Sequence, residues 1–210
     1  MQRARTKDAK DQRRQVLLQA ALEEFFERGF AAARLDDVAQ RAQLSKGTIY
    51  LYFKSKEALF EALIDSLTSP RIAQFEAIAA NAPSIDEALS QIATIAPMII
   101  RQSSLPKLMK VLIGDSHRFP EVLRNYRQNV LDRLLAAITT LLIDAQERGE
   151  ILVTDPQLTA RLVIAPIVFS SMWQALFGHD EEPPIDLDAL FEIHRQLILN
   201  ALRIQEASTC

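Results

Sequence analysis

The sequence has a single cysteine, Cys210, and it is the last residue. One thiol forms no internal disulfide, so cross-linking holds nothing together and a reducing compartment is expected. Glycine is scarce, with five residues against nine prolines. No strand-like alternation of apolar and polar residues runs longer than chance. A turn-rich β fold is therefore excluded. The three histidines, His117, His179 and His194, lie far apart with no metal-ligand spacing, and no G-x-G-x-x-G, P-loop, H-E-x-x-H or G-x-S-x-G motif occurs. No enzyme, metal or cofactor is expected on these grounds. The opening MQRARTKDAKDQRRQ has no apolar core of the kind a secretory signal needs, so a cytoplasmic location is expected. The charge-free stretch Leu162–Phe177 is too short for a membrane span and contains Pro166, Ser170, Ser171 and Gln174. It reads instead as a buried helix, apolar nearly all round, that must be covered on more than one side.

What is present is a soluble globular composition, 49% apolar and 24% charged over 210 residues. A chain of this length buries roughly 70% of its unfolded surface and needs no metal to fold. The net charge of –3 hides an asymmetry. Residues 1–56 carry 12 Lys and Arg against 7 Asp and Glu, a balance of +5, and residues 57–210 carry 12 against 20, a balance of –8. A basic head that meets a polyanion and an acidic body that does not is the expected division.

The first dozen residues are polar and basic without periodicity and read as an arm. From Asp11 to Arg28 the apolar residues Leu17, Ala21 and Phe25 recur at helical spacing until Gly29 stops the helix. A second short helix fits 35–42, with Asp36 and Asp37 in its first turn. A third follows Ser45 and runs to Tyr52 with Ile49 and Phe53 turned inward. Ser55 caps a fourth that runs from 56 to 80 across Pro70. The capping box Ser84–Glu87 opens a helix to Arg101. Further helices are expected over 105–116, from Pro120 to Gly149, from Pro156 after the Asp155 cap to Gly178, and over 187–206. The fold class is all-α: an N-terminal three-helix helix-turn-helix domain (1–56) and a larger helical domain (57–210), about nine helices in total.

Two short helices joined by a tight turn form a unit whose second helix enters a DNA major groove by its N-terminal end. That end carries Ser45, Lys46, Gly47 and Thr48, in which small residues permit close approach while Lys and Thr reach bases or phosphates. Tyr50, Tyr52 and Lys56 place further donors along one backbone strand.

The motifs LLQAALEEFFERGF and LDDVAQRAQLSKGTIYLYFKSKEALFEAL, within Gln15–Ile64, resemble the N-terminal domain of TetR/AcrR-family transcriptional repressors. The order GF, DVA, SKGTIYxYF, SKEAL has few competitors. The resemblance implies that the third helix is the recognition helix, with Ser45, Lys46, Gly47, Thr48, Tyr50, Leu51 and Tyr52 facing DNA, Lys56 holding a phosphate, and Ile49 and Phe53 in the core. Two positions depart from the family pattern. Ala33-Arg34 stands where a Thr or Ser usually caps the second helix, so Arg34 replaces a hydroxyl contact to phosphate by a charge. Gln43 stands where Gly is favoured in the turn.

For the body, the resemblance implies a homodimer built by the last two helices of each protomer, acting on a palindromic double-stranded operator. Ala160, Ile164, Ile167, Ser171 and Ala175 on one helix and Leu190, Ile193, Leu197, Ile198 and Leu202 on the other are the candidate interface. The resemblance also implies a cavity for a small effector that releases the DNA. Met98, Ile99, Met109, Ile113, Phe119, Tyr126, Phe169, Met172 and Trp173 are the candidate lining, with His117 and Arg101 as polar anchors. Met and aromatic side chains suit a mostly apolar ligand. The alternative is a helical interaction protein that binds neither DNA nor ligand.

Overall fold

The computed structural model describes residues 2–101, 104–114, 120–178 and 184–203, with side chains from Asp8 onward. The order is α1 (Gln2–Ala32), α2 (Leu35–Arg41), α3 (Lys46–Tyr52), α4 (Lys56–Asn81), α5 (Ile85–Arg101), α6 (Ser104–Gly114) and α7 (Pro120–Tyr126). A π-helical turn (Arg127–Leu131) leads into α8 (Asp132–Glu147), followed by α9 (Pro156–Phe177) and α10 (Leu187–Leu202). Among the described residues the one β pairing is an isolated bridge between Ile151 and Arg203. The all-α class expected from the sequence is what the structure shows.

Two elements differ from expectation. α1 begins at Gln2 rather than near Asp11. Its first turns are Gln, Arg, Ala and Lys, good helix formers with no Gly or Pro among them, so propensity carries the helix through a stretch that has no apolar stripe. At the other end Gly29, at φ 76°, breaks the regular helix as expected. The segment from Pro120 contains the π-turn. Its buried residues Val122, Tyr126 and Val130 recur every four positions, and continued four-residue spacing outruns a 3.6-residue period. One wider turn takes up the drift.

The chain forms two compact units. One contains residues up to Thr68 together with Lys107–Arg127; the other contains Ser69–Pro106 together with the chain from Gln128 onward. The first unit therefore extends beyond the head of 1–56, through the first turns of α4 and most of α6 and α7. Its core holds Leu17, Ala21, Val38, Ala39, Ile49 and Leu59, none of them measurably exposed. Phe25, Phe30 and Phe60 form a mutual cluster with ring centroids 5.0–5.2 Å apart. α6 is tied to α1 by Lys107, whose ammonium lies 2.7 and 2.8 Å from the two Glu23 oxygens.

The second unit packs α5, α8, α9, α10 and the end of α4 around Ile92, Leu141, Leu142, Ala145, Ala160 and Val163. The capping box works in one direction, with Ser84 Oγ accepting from the Glu87 amide at 3.2 Å. Asp155 and Asp186 cap α9 and α10 in the same way, at 2.9 and 3.0 Å.

The turn between α2 and α3 sets the recognition unit. Ala42 ends α2, and the amides of Gln43 and Leu44 return to the carbonyls of Gln40 and Ala39. This six-to-one plus five-to-two pattern requires a left-handed residue at its fifth position. Gln43 supplies it at φ 56° and is the one non-glycine residue of positive φ among the described residues. Replacing Gln43 by Gly removes the Cβ strain and adds freedom to the unfolded chain. The difference should stabilise the protein by about 0.5–1 kcal/mol, read as a rise in the urea midpoint with an unchanged slope.

Candidate nucleic-acid interface

A seven-residue helix such as α3 has no stability of its own in water. It is held at three places. Ser45 Oγ accepts from the Thr48 amide at 3.2 Å and lies 2.8 Å from Thr48 Oγ1. Ile49 is completely buried and Phe53, just past the helix end, is 4% exposed. The Arg14 guanidinium lies 5.8 Å from the centre of the Phe53 ring. With Ile49 inward, helical geometry turns Lys46, Gly47, Tyr50 and Leu51 outward, and all four are exposed. Thr48 and Tyr52 are partly exposed on the flanks. Arg34 is exposed at the start of α2, whose N-cap it occupies without a side-chain cap bond.

The platform beneath α3 is an ionic clamp between α1 and α2. Glu24 is 1% exposed. Its Oε2 accepts from Arg41 Nε at 3.2 Å, and Arg28 Nε approaches Oε1 at 3.1 Å without a well-angled hydrogen bond. Arg41 also grips Glu27 with both terminal nitrogens, Nη1 at 2.9 Å, and so holds that carboxyl below its usual range. A planar guanidinium suits this forked grip better than an ammonium would.

Two side chains differ from the sequence picture. Lys56 donates to the Ala31 carbonyl at 2.9 Å and sits 4.8 Å above the Phe30 ring. Its ammonium thus fastens the end of α1, where the helix dipole favours a cation. Lys46 pairs with Asp36 of α2, Nζ to Oδ2 at 2.8 Å. From the sequence Asp36 is readable only as a first-turn carboxylate, because its reach to α3 depends on the angle of the turn.

The candidates in the body fall into separate groups. Met109, Ile113 and Tyr126 belong to the first unit. There Tyr126 is buried, which pushes its hydroxyl up to about 12, and it donates to Met109 Sδ at 3.7 Å. Ile113 is exposed. Met98, Ile99, Arg101, Phe169, Met172 and Trp173 belong to the second. Ile99 is buried, Met98 and Phe169 are half exposed, and Arg101 pairs with Asp188. His117 and Phe119 lie outside the described residues.

The two faces assigned to α9 require correction. Ala160, Ile164 and Ser171 are at most 6% exposed, and Ile167 packs against the same core. Leu202 of α10 is also buried. These residues pack within their own chain, because small side chains let α9 approach its neighbours closely, and they are not available to a second chain. Ala175 is partly exposed. The outward stripe of α9 is instead Leu158, Leu162, Phe169 and Leu176, 51–61% exposed, with Trp173 beside it 5.8 Å from the Phe169 ring. On α10, Ile193 and Leu197 are 58% and 63% exposed.

This architecture, a small helix-turn-helix unit with a larger helical body, defines a class of bacterial DNA-binding regulators, and the comparisons agree. Residues 17–63 match the model of bacterial regulatory proteins of the tetR family, and residues 87–189 match that of the C-terminal domain of AefR-like transcriptional repressors. The chain belongs to the TetR family of transcriptional regulators. It is 26% identical over 182 residues to YhgD, an uncharacterised helix-turn-helix regulator of Bacillus subtilis, covering 85% of this chain and 90% of that one. The transcriptional regulator TtgR of Pseudomonas putida is 40% identical, but over 63 residues, 30% of each chain. A TetR-family structure from Mesorhizobium loti covers 93% of this chain and 98% of its own at a TM-score of 0.76 and 22% identity, which shows the shared fold.

The clamp gives a direct expectation. Arg41→Ala strips the Nε donor from the buried Glu24 carboxylate and should cost about 2 kcal/mol, measured by urea denaturation. Adding Glu24→Gln to that variant should recover part of the loss.

Proposed function

We propose that this protein is a transcriptional repressor that binds a palindromic DNA operator as a homodimer and is released by a small, mostly apolar effector. The observation that carries the proposal is the outward face of α3. Leu51 is 82% exposed on a helix whose opposite side is fully buried, so its side chain contributes nothing to the chain's own packing. In a major groove it meets a thymine methyl. A Cβ added to Gly47 would meet nothing nearer than Ser45 Oγ at 3.9 Å. Nothing in the chain requires glycine there, whereas close approach to a DNA backbone does. Arg34, Ser45, Lys46, Thr48, Tyr50 and Tyr52 complete the contact set. Lys56 serves it by fastening the α1 end.

One short helix reads too few base pairs to select an operator, and two copies about one helical turn apart solve this. The outward stripes of α9 and α10 support the dimer. α9 is long and apolar enough to cross a membrane by length and composition alone, and its own chain covers one side of it. A second copy covers the other with the same Leu, Phe and Ile side chains. The body thus serves dimerisation and effector binding, and the head of 1–56 serves DNA. A repressor role is supported by the AefR-like match over 87–189. Similarly folded regulators have been solved with triclosan (SmeT, TM-score 0.75) and with stearoyl-CoA (FadR of Bacillus subtilis, TM-score 0.59); triclosan and the stearoyl chain are apolar, while the CoA carrier is charged. Met109 and Tyr126 are the candidate effector contacts that lie together; Phe169 and Trp173 pass from the cavity to the interface. An effector releases DNA only by binding better to a conformation that does not fit the operator.

DNA binding is tested by fluorescence anisotropy across salt. A dimer touching about six phosphates should lose roughly a thousandfold in affinity between 50 and 200 mM salt. Tyr50→Phe should weaken all duplexes alike, while Lys46→Ala and Thr48→Ala should also alter sequence preference. Binding that barely responds to salt, or none at all, favours the interaction protein.

Assembly is tested by sedimentation. Leu162→Glu or Leu197→Glu should yield a monomer, since an unpaired charge in such an interface costs several kcal/mol. Trp173 emission should move to longer wavelength as its partner leaves. A dimer that survives both changes places the interface elsewhere.

A further inference from the structure

A carboxylate beside a DNA-reading face repels phosphates, so the position of Asp36 calls for a physical reason. Its place in the first turn of α2 offers one, favourable interaction with the helix dipole. Asp37 occupies the same turn, and its carboxylate faces Arg28 of α1, 3.5 Å away. Asp36 reaches the other way, across the turn to α3. Its Oδ2 accepts from Lys46 Nζ at 2.8 Å. Lys46 and Tyr50 lie one turn apart on α3 and share a face. The Lys46 side chain is 73% exposed, and that of Asp36 26%. One largely covered carboxylate therefore ties down an outward cation of α3. The contact keeps Asp36 below the ordinary carboxylate range and Lys46 above the ordinary ammonium range, so both stay charged at neutral pH.

We infer that Asp36 is a positioning residue for sequence readout: it fixes the direction of the Lys46 ammonium, and it lowers the affinity of the head for DNA of the wrong sequence. The inference rests on the DNA-binding role proposed for α3. An untethered lysine is a compact, strongly hydrated charge on a flexible stem, and it follows the nearest phosphate whatever the sequence. Tethered to Asp36, one N–H is taken and the others leave in set directions, as hydrogen bonding to a base edge requires. The pair carries no net charge, so it releases few counterions and gives little to sequence-independent binding. Specificity is then gained by a repulsive element on the protein as well as by an attractive one.

The test uses the full-length protein and two duplexes of equal length, one enriched from a random pool by the wild type and one scrambled. Asp36→Ala should bind the scrambled duplex more tightly. Its salt dependence should steepen by about one unit per head, and the ratio of the two affinities should fall about tenfold. Asp36→Asn, which keeps size and an acceptor, should move both readouts the same way by less. Asp37→Ala, which removes a first-turn charge without touching α3, should leave ratio and slope unchanged. In a Lys46→Ala background the Asp36→Ala change should no longer alter the ratio. A selective wild type whose ratio and slope survive Asp36→Ala, or a variant that loses affinity equally for both duplexes, overturns the inference alone. A wild type that enriches no duplex overturns the DNA-binding role and the inference with it.

Discussion

The burial of Ile49 is the constraint from which the DNA-facing surface follows. α3 is two turns long and cannot fold alone, so its orientation is whatever its buried side dictates. With Ile49 fully enclosed and Phe53 beneath it, the rotation of the helix is fixed, and Lys46, Gly47, Tyr50 and Leu51 have no direction left but outward. The enclosing surface is rigid for a separate reason. Phe25, Phe30 and Phe60 lock α1 to α4, and the Arg41 fork locks α2 to α1. A recognition helix that carries almost no stability of its own is thus presented by residues that never touch DNA.

α9 shows the opposite economy, in which one helix serves two surfaces. Its small inward residues, Ala160, Ser170 and Ser171, allow close packing in its own chain, and Ser171 returns its hydroxyl to the Ile167 carbonyl at 2.7 Å so that no polar group is stranded. Its large outward residues cannot pack there because the small ones have taken the space. Apolar side chains at more than half exposure over five turns of helix are unstable in water unless covered. In the proposed homodimer a second copy covers them.

Most of the helical plan was legible in the sequence because caps and stops are local chemistry. Ser45, Ser55 and Asp155 act on amides three residues away, and Gly29 needs only its own φ. The strained turn at Gln43 was legible only through the resemblance, which implies a Gly there. Features set by rotation or by distant partners were not. The period of α9 identifies two faces, but both are apolar, and nothing local says which one its own chain claims. Small residues looked like a site for close approach of another chain, and they are one, but the helices approached belong to the same chain. The π-turn after Tyr126 depends on a drift between spacing and period that accumulates over several turns. Lys56 read as a phosphate ligand because a terminal ammonium near a recognition helix has that chemistry, while the carbonyl it meets is 25 residues away.

The local departures from the family pattern bear on what this protein reads. Losing the hydroxyl cap at the start of α2 leaves Arg34 exposed and without a side-chain cap bond, so the helix start depends on the first-turn carboxylates. Once Asp36 is there for the helix, it lies within reach of α3 and takes hold of Lys46. The substitution that weakens one end of α2 thereby changes the electrostatics of the reading face. Leu51 pushes in the same direction, since an aliphatic group at that exposure gains from methyls and gives nothing to phosphates. A face whose cation is paired and whose most exposed residue is apolar relies less on charge and more on base edges. The Ser45 cap and the Ile49 anchor therefore orient the helix, while in the proposed role Asp36, Lys46 and Leu51 set which sequence it prefers.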